Sequence, residues 1–195
     1  MRSYLSPSVV YGFHVCERER AMQVLNQHER HLKASDNAYD WLGHGIYFWE
    51  SSIKRAEEYA AQRLHPHKFK SPMIVGAVIE LGNCLDLLDS DAIQQLAAAH
   101  RHLAAAMMVE GRPLPKNAAY KRGLPMQRNL DCAVIETLHS IVSKTPGLKG
   151  YDSVRGAFME GEPAYPGANF RMQDHIQICV RNPEKCIKGY FLPIP

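Results

Sequence analysis

The residues with chemical potential in this chain are a histidine, a tyrosine beside a glycine turn, and a strand with one polar face. His14 stands near the end of residues 9–15, an apolar run rich in β-branched and aromatic residues that predicts a buried strand. Residues 43–48 read Gly-His-Gly-Ile-Tyr-Phe. Two glycines around one residue let the backbone turn sharply and approach a ligand closely, and Tyr47 can present a flat ring to that ligand.

The polar strand is predicted near the end of the chain, over residues 175–180. Strand alternation places His175, Gln177 and Cys179 on one face and the intervening Ile and Val residues on the other. The apolar face is expected to be core, and the polar face is then either a site or a surface that faces solvent. His14, taken alone, also has two readings, because a histidine at the rim of a core is commonly satisfied by a backbone carbonyl.

The composition is that of a folded globular chain, and it excludes several kinds of site. Of 195 residues, 46% are hydrophobic and 22% charged, with a net charge of +3. The five cysteines are odd in number and form no Cys-x-x-Cys pair, so we expect reduced thiols rather than a disulfide framework or a zinc knuckle. The sequence has no Gly-x-Gly-x-x-Gly, phosphate-loop or His-Glu-x-x-His motif, and no metal is expected. It shows no signal peptide or membrane-spanning run, which predicts a cytoplasmic protein without membrane contact.

The elements that must position these residues alternate irregularly between strands and helices. We predict one α+β domain over residues 1–195, with no boundary inside it. Ser51 or Ser52 is expected to cap the helix that follows the glycine turn. Residues 111–128 hold several Lys and Arg and are predicted to be a basic loop that either suits a phosphate backbone or is simply solvated. Strands are predicted at 9–14, 45–49, 73–81, 175–180 and 186–192, and helices at 17–32, 52–64, 89–109 and 129–143.

The glycine–tyrosine run resembles the second motif of the diphtheria-toxin-like and poly(ADP-ribose)-polymerase-like ADP-ribosyltransferases. That motif is Gly-x-Gly-x-Tyr-Phe, followed by a serine, an alanine and an aromatic residue on the next helix. The family's first motif is a histidine at the end of the first strand, which His14 matches, while Val15 stands where the family often has glycine. The resemblance covers residues 8–62 and returns in the final strands. The positions that match the second motif are Gly43, Gly45, Tyr47, Phe48, Ser52, Ala56 and Tyr59.

This resemblance implies a fold, a donor and a set of roles. The fold would be two packed, mostly antiparallel sheets that form an NAD cleft, with flanking helices, and NAD⁺ would be the donor substrate. Tyr47 would stack on the nicotinamide, the backbone of Val15 would pair with its carboxamide, and His14 would bond the adenosine ribose. Tyr59 would form the other side of the ring clamp. The implied NAD-binding set is completed by Gly45 and Ser52.

The family's third motif is altered in this chain. Members usually place a glutamate at the start of a late strand, often with Gln or Glu two residues earlier, whereas residues 175–180 contain no glutamate. Either Gln177 takes that slot with His175 in the earlier position, which we favour, or His175 takes it with Gln173 before it. The missing glutamate argues for transfer of a single ADP-ribose or for loss of activity. The implied catalytic set is Gln177, His175, Tyr47 and His14.

The loop before this strand is the expected place of acceptor recognition. In related toxins that loop recognises the target, and here Glu160 and Glu162 are predicted to lie close enough to reach an acceptor. The alternative is a plain surface loop. The residues that make the loop aromatic and partly basic are Arg155, Phe158, Tyr165 and Phe170.

The function expected from these features is that of an NAD-dependent mono-ADP-ribosyltransferase. It would modify a protein, an RNA or a DNA as a toxin or defence effector, with an antitoxin or immunity protein as a further partner. The alternative from another class is a catalytically inactive NAD-binding or interaction module on the same fold, motivated by Gln177 and His175. An RNA 2′-phosphotransferase on a related fold ranks last, because the sequence does not show the cluster of Arg and His that its phosphate needs.

Overall fold

Strands and helices follow one another in a mixed, α+β order, as predicted, in a computed structural model that describes residues 8–63, 69–121 and 124–193. The strands in these ranges are β1 Val9–Glu17, β2 Ile46–Glu50, β3 Pro72–Glu80, β4 Cys84–Asp86, β5 Ala118–Lys121, β6 Leu124–Gln127, β7 Ser153–Phe158, β8 His175–Val180 and β9 Ile187–Phe191. The helices are α1 Arg18–Leu25, α2 Ile53–Arg63, α3 Ser90–Val109, α4 Asn129–Lys144 and α5 Pro183–Cys186.

Seven strands form a single sheet in the order β4-β7-β8-β2-β1-β3-β9, and β5 and β6 form a separate hairpin. Neighbouring strands of the large sheet are antiparallel, except that β4 and β7 are parallel. The expectation of two packed sheets is therefore wrong. Backbone pairing of Gly12 with Glu50 and of Phe13 with Trp49 joins β1 to β2, and this junction makes the seven strands one continuous sheet. This junction has two pairs, whereas β1 pairs with β3 over all nine of its residues.

Hydrophobic clusters cover both faces of the sheet. On one face Phe48, Ile178 and Val180 are at most 1% exposed and pack with α1, which confirms that the apolar face of β8 is core. On the other face, one cluster lies under α3 and α4 and includes Cys179, and a second lies under α2 and includes Trp49. These are called the α3–α4 cluster and the α2 cluster. The boundary between them crosses β2.

Two element ends differ from the sequence-based expectation. β1 does not end at His14 but continues to Glu17, because its pairing with β3 persists until Glu17 meets Pro72. α1 ends at Leu25 rather than near residue 32, because Gln27 adopts a φ of 59° and turns the chain out of the helix.

The basic segment 111–128 is not simply a loop, because it contains the β5–β6 hairpin. Arg122, one of the basic residues of this segment, lies outside the described residues. Acidic partners relieve part of its charge: Arg112 pairs with Glu110 at 3.0 Å, and Arg128 with Asp131 at 3.7 Å. Whether the segment binds a phosphate backbone stays a prediction.

Arg155 and Phe158 lie on β7 and not in the predicted acceptor loop, which begins after Phe158. Arg155 is buried on β7, and two carboxylates compensate its charge there: Glu50 at 2.6 Å and Asp86 at 3.1 Å. In the part of the chain that the structure describes, no helix combines the length and the apolar character needed to cross a membrane.

Candidate functional site

The junction between β1 and β2 opens after two residue pairs. Pairing between these strands ends at Phe13 and Trp49, although both strands continue beyond that point. His14 spans the start of the opening, with its Nδ1 atom 2.7 Å from the carbonyl oxygen of Tyr47. Because a carbonyl oxygen only accepts, Nδ1 carries the proton and donates. A side chain thus satisfies a carbonyl that a regular ladder would join to a backbone N–H.

Val15 turns its backbone polar groups toward this opening. The carbonyl oxygen of Tyr11 accepts a hydrogen bond from Ser51 N at 2.8 Å, so the backbone of Tyr11 faces β2. Backbone directions alternate along a strand, so those of Phe13 and Val15 face the same side. Val15 is 4% exposed, and β2 provides it with no ladder partner. A buried N–H and C=O on an open strand edge suit a planar amide ligand.

Tyr47 is held by the glycine turn that precedes it. Its hydroxyl accepts from Leu42 N and donates to Gly43 O, both at 2.7 Å. Burial strongly raises the pKa of Tyr47, so the phenol stays protonated and keeps donating. The ring is half-buried at the margin of the α3–α4 cluster. The turn therefore fixes the orientation of the ring, and stacking of a flat ligand on it stays a prediction.

The two glycines of the turn permit close packing within the protein. A Cβ atom on Gly43 would lie 2.5 Å from Glu136 Oε1 on α4, and one on Gly45 would lie 2.6 Å from Cys179 Sγ on β8. Gly43 also has a φ of 76°, which other residues rarely adopt. The glycines were predicted to admit a ligand, and the neighbours that require them here are protein groups. The contribution of Gly45 to NAD binding stays a prediction.

Ser52 and Tyr59 lie on the α2 side of the opening. Ser52 Oγ accepts a hydrogen bond from Arg55 N at 3.3 Å, so Ser52 rather than Ser51 caps α2. Tyr59 packs against Trp49, with ring centroids 5.0 Å apart. The structure therefore brings Tyr59 to Trp49 in the α2 cluster, and a ring clamp formed with Tyr47 stays a prediction.

β8 places His175 and Gln177 beside each other on the face of the sheet that carries Trp49. Gln177 is the register partner of Trp49. His175 Nδ1 lies 2.7 Å from the carbonyl oxygen of Gln173, and its Nε2 lies 3.0 Å from Gln177 Nε2. Burial lowers the pKa of His175, so the imidazole is neutral at pH 7.

A buried arginine gathers the carboxylates near β8. Arg55 is 6% exposed and pairs with Glu58 and with Glu160, each at 2.7 Å. Glu160 Oε2 also lies 3.7 Å from His175 Nδ1. Arg55 thus connects α2 to the loop before β8 and neutralises charge there. Sequence reasoning named Glu160 but missed Arg55, whose only sequence signal is a glutamate three residues later on the same helix.

Arg128 lies over two aromatic rings next to β7, the strand that flanks β8 on the side away from β2. Its guanidinium carbon is 4.3 Å from the ring centre of Trp41 and 4.9 Å from that of Phe158. Phe158 stacks on His175, with centroids 5.9 Å apart and ring planes at 28°. The sequence does not predict this stack, because its members come from four separate segments.

The structure thus gathers the predicted residues on neighbouring elements. β1, β2 and β8 are adjacent in the sheet and carry His14, Tyr47 and Gln177 respectively, and α2 flanks them. Among the described residues, no group of three or more His, Cys, Asp or Glu side chains is placed to hold a metal ion. Comparison of the chain with protein-family models, with curated proteins and with solved structures gives no match.

Proposed function

We propose that the chain is an NAD⁺-dependent ADP-ribosyltransferase that transfers a single ADP-ribose to a macromolecule. The observation that carries this proposal is the opening between β1 and β2, in the middle of the sheet. An open backbone edge, an oriented tyrosine ring and a side-chain amide on the next strand are groups that a nicotinamide riboside can use. They occur in the order that the resemblance implies.

Recognition of the donor follows from what NAD⁺ presents. Its nicotinamide is a flat cation that bears a carboxamide, which would pair with the N–H and C=O of Val15, while the ring of Tyr47 stacks on the pyridinium. His14 donates from Nδ1 to Tyr47 O, which holds the ring at the opening, and by the resemblance this ring would contact the adenosine ribose. Ser52 and Tyr59 would contact the donor from α2.

The reaction breaks the bond between ribose C1′ and the nicotinamide nitrogen and forms a bond from C1′ to a nucleophile of the acceptor. Nicotinamide leaves with the electron pair of the broken bond, and the acceptor nucleophile loses its proton to solvent. The oxocarbenium-like centre between these events needs polar groups near the ribose. Gln177 supplies a neutral one. The absence of glutamate from residues 175–180 favours one transfer over elongation into a polymer.

Recognition of the acceptor is assigned in this proposal to residues 159–174, which lead into β8. Tyr165 and Phe170 are 59% and 70% exposed there, and a macromolecular partner would cover such side chains. The acceptor is a protein or a nucleic acid. Action as a toxin or defence effector, with a neutralising antitoxin or immunity protein, belongs to the same proposal.

A catalytically inactive NAD-binding module is the second candidate. It is favoured by the neutral state of His175 and Gln177 and by the capture of Glu58 and Glu160 in ion pairs with Arg55. In this candidate the same opening binds NAD⁺, but no group beside the ribose promotes departure of nicotinamide.

The test is incubation of the protein with adenylate-labelled NAD⁺ and with separate pools of protein, RNA and DNA, with nicotinamide release measured in parallel. The transferase predicts label in one pool and release of nicotinamide, whereas binding without release supports the inactive module. Lack of NAD⁺ binding contradicts both candidates.

The matched variants for this test are Tyr47→Ala and Tyr165→Ala. Loss of a stacked ring costs about 1–3 kcal/mol, so Tyr47→Ala should weaken NAD⁺ binding by about tenfold or more. Tyr165→Ala removes an exposed ring outside the opening and should leave NAD⁺ affinity unchanged. Equal NAD⁺ affinity in wild type and Tyr47→Ala would show that the Tyr47 ring does not bind the donor.

A further inference from the structure

We propose that His175 is a positioning residue that orients the Gln177 side chain, so that the amide oxygen of Gln177 is the atom offered to the substrate ribose. The proposal rests on the transferase function proposed above. It decides between the two readings of the third motif on β8: Gln177 contacts substrate, and His175 acts through Gln177.

Protein groups enclose the His175 ring, which suits it to act through a neighbouring side chain. The His175 side chain is 1% exposed, and its ring is stacked on Phe158. Gln177, two residues later on the same face, is half-buried and reaches the surface. Side chains that are locked by packing on one side and by hydrogen bonds on the other are the ones that hold a neighbour in a single orientation.

The hydrogen bonds of His175 determine which atom of Gln177 points to it. The carbonyl oxygen of Gln173, 2.7 Å from His175 Nδ1, can only accept, so Nδ1 carries the proton. The neutral ring then has a lone pair at Nε2. The Gln177 amide nitrogen, 3.0 Å away, donates to that lone pair. The Gln177 oxygen, on the other branch of the amide, is left as the acceptor for a ribose hydroxyl.

Protonation of His175 would reverse the arrangement. An imidazolium donates from both nitrogens, so its Nε2–H would meet the N–H of Gln177, and the amide would turn to bring its oxygen to the ring. The amide N–H₂ would then face the substrate. Burial is the largest influence on the pKa of His175 and lowers it, which keeps the productive arrangement at neutral pH. The charged groups that face His175 are Glu160 and Asp174 from the preceding loop, Arg55 from α2, and Arg128 across the Phe158 ring.

The kinetic test compares two amide substitutions at position 175. His175→Asn places its amide near the Nδ1 position, so it keeps the hydrogen bond to the Gln173 carbonyl but offers Gln177 no acceptor. The longer side chain of His175→Gln reaches the Nε2 position and can offer Gln177 an amide oxygen there. His175→Asn should lower kcat for nicotinamide release by about 10- to 100-fold, with the KM for NAD⁺ changed by less than about threefold. His175→Gln should restore most of kcat. An unchanged kcat in a folded His175→Asn protein would overturn the proposal.

The pH profile separates positioning from a merely structural role. Activity of the wild type should fall on the acid side as His175 gains a proton, and the His175→Gln protein should lack that acid limb. If both proteins lose activity over the same acid range, His175 does not control Gln177.

A measurement independent of turnover is the nitrogen NMR spectrum of the histidine rings. The proposal predicts the Nδ1–H tautomer for His175 at neutral pH, and a raised His175 pKa in Gln177→Glu, because a carboxylate oxygen accepts from an imidazolium. The Nε2–H tautomer would overturn the proposal. Failure of the transferase function gives a different result. The Nδ1–H tautomer is then present, but neither the wild type nor either variant consumes NAD⁺. In that case the role proposed for His175 is contradicted together with the transferase function.

Discussion

The two sides of the candidate site are held in place by different means. At the β1–β2 opening the positioned groups are backbone atoms and the Tyr47 ring, and a glycine turn packed against α4 and β8 sets their location. At β8 the positioned groups are side chains, and Arg55 pairs there with Glu58 and Glu160, the second of which lies 3.7 Å from His175. The difference teaches that the proposed donor side depends on close backbone packing, whereas the proposed reacting side depends on charge pairing. The two sides should therefore fail in different ways.

The largest effect is expected from Gly43→Ala, which breaks the packing of the glycine turn. A φ of 76° costs a residue with a Cβ about 1–2 kcal/mol, and overlap with Glu136 and Ile135 adds about 1–3 kcal/mol. The free energy of unfolding in urea should therefore fall by about 2–5 kcal/mol. NAD⁺ affinity should also fall, since the Gly43 carbonyl accepts from the Tyr47 hydroxyl.

The control for this change is Gly147→Ala. Gly147 has a φ of 82°, but a Cβ placed there meets nothing within 4 Å. The two substitutions share the backbone strain and differ only in packing, so Gly147→Ala should cost about 1–2 kcal/mol and leave NAD⁺ affinity unchanged. Equal losses of stability in both variants would show that the turn is not held by its contacts with α4.

The next effect in size is expected from Arg55→Met, which breaks the charge pairing beside β8. Two partly buried carboxylates lose their partner, and unfolding free energy should fall by about 2–4 kcal/mol. Nicotinamide release should fall as well, while NAD⁺ affinity changes by less than about threefold, because the opening itself is untouched. Isothermal titration and a release assay on the same sample measure the two quantities.

Lys54→Met is the matched control on the same helix. Lys54 also has a glutamate partner three residues later, but its side chain is 74% exposed, so its loss should cost less than about 0.5 kcal/mol. A comparable loss of stability or release in both variants would mean that burial of Arg55 is unimportant to the β8 side.

The smallest effect, Tyr47→Phe, sharpens the comparison within the opening. The ring is kept, while Leu42 N and Gly43 O lose their hydroxyl partner, which should cost about 1–2 kcal/mol of stability. NAD⁺ affinity should fall far less than in Tyr47→Ala, because stacking needs the ring and not the hydroxyl. If both variants bind NAD⁺ equally weakly, the hydroxyl and not the ring recognises the donor.

Much of the local structure was predictable because it depends on residues close together in the chain. The alternation along β8 identified Ile178 and Val180 as core, and the serine before α2 identified a cap that the structure assigns to Ser52. The expectation of two packed sheets was wrong because the sequence pattern of a strand does not say which other strand it pairs with. The placement of Arg155 in a loop was wrong because β7 is held by backbone pairing with β4 and β8, which are distant in sequence.

The sequence by itself determined the longer elements, such as β1, β3, α3 and α4, and the two faces of β8, because periodicity acts over a few residues. His14, Tyr47 and Gln177 were named by the resemblance of their motifs, and the strands β4, β5, β6 and β7 were missed. Only the tertiary structure decided that pairing stops after Phe13 and Trp49, and that His175 is buried against Gln177. Such contacts join distant positions, as in the Arg55–Glu160 pair, whose members are 105 residues apart. Their geometry depends on how the strands and helices pack, which no local pattern encodes.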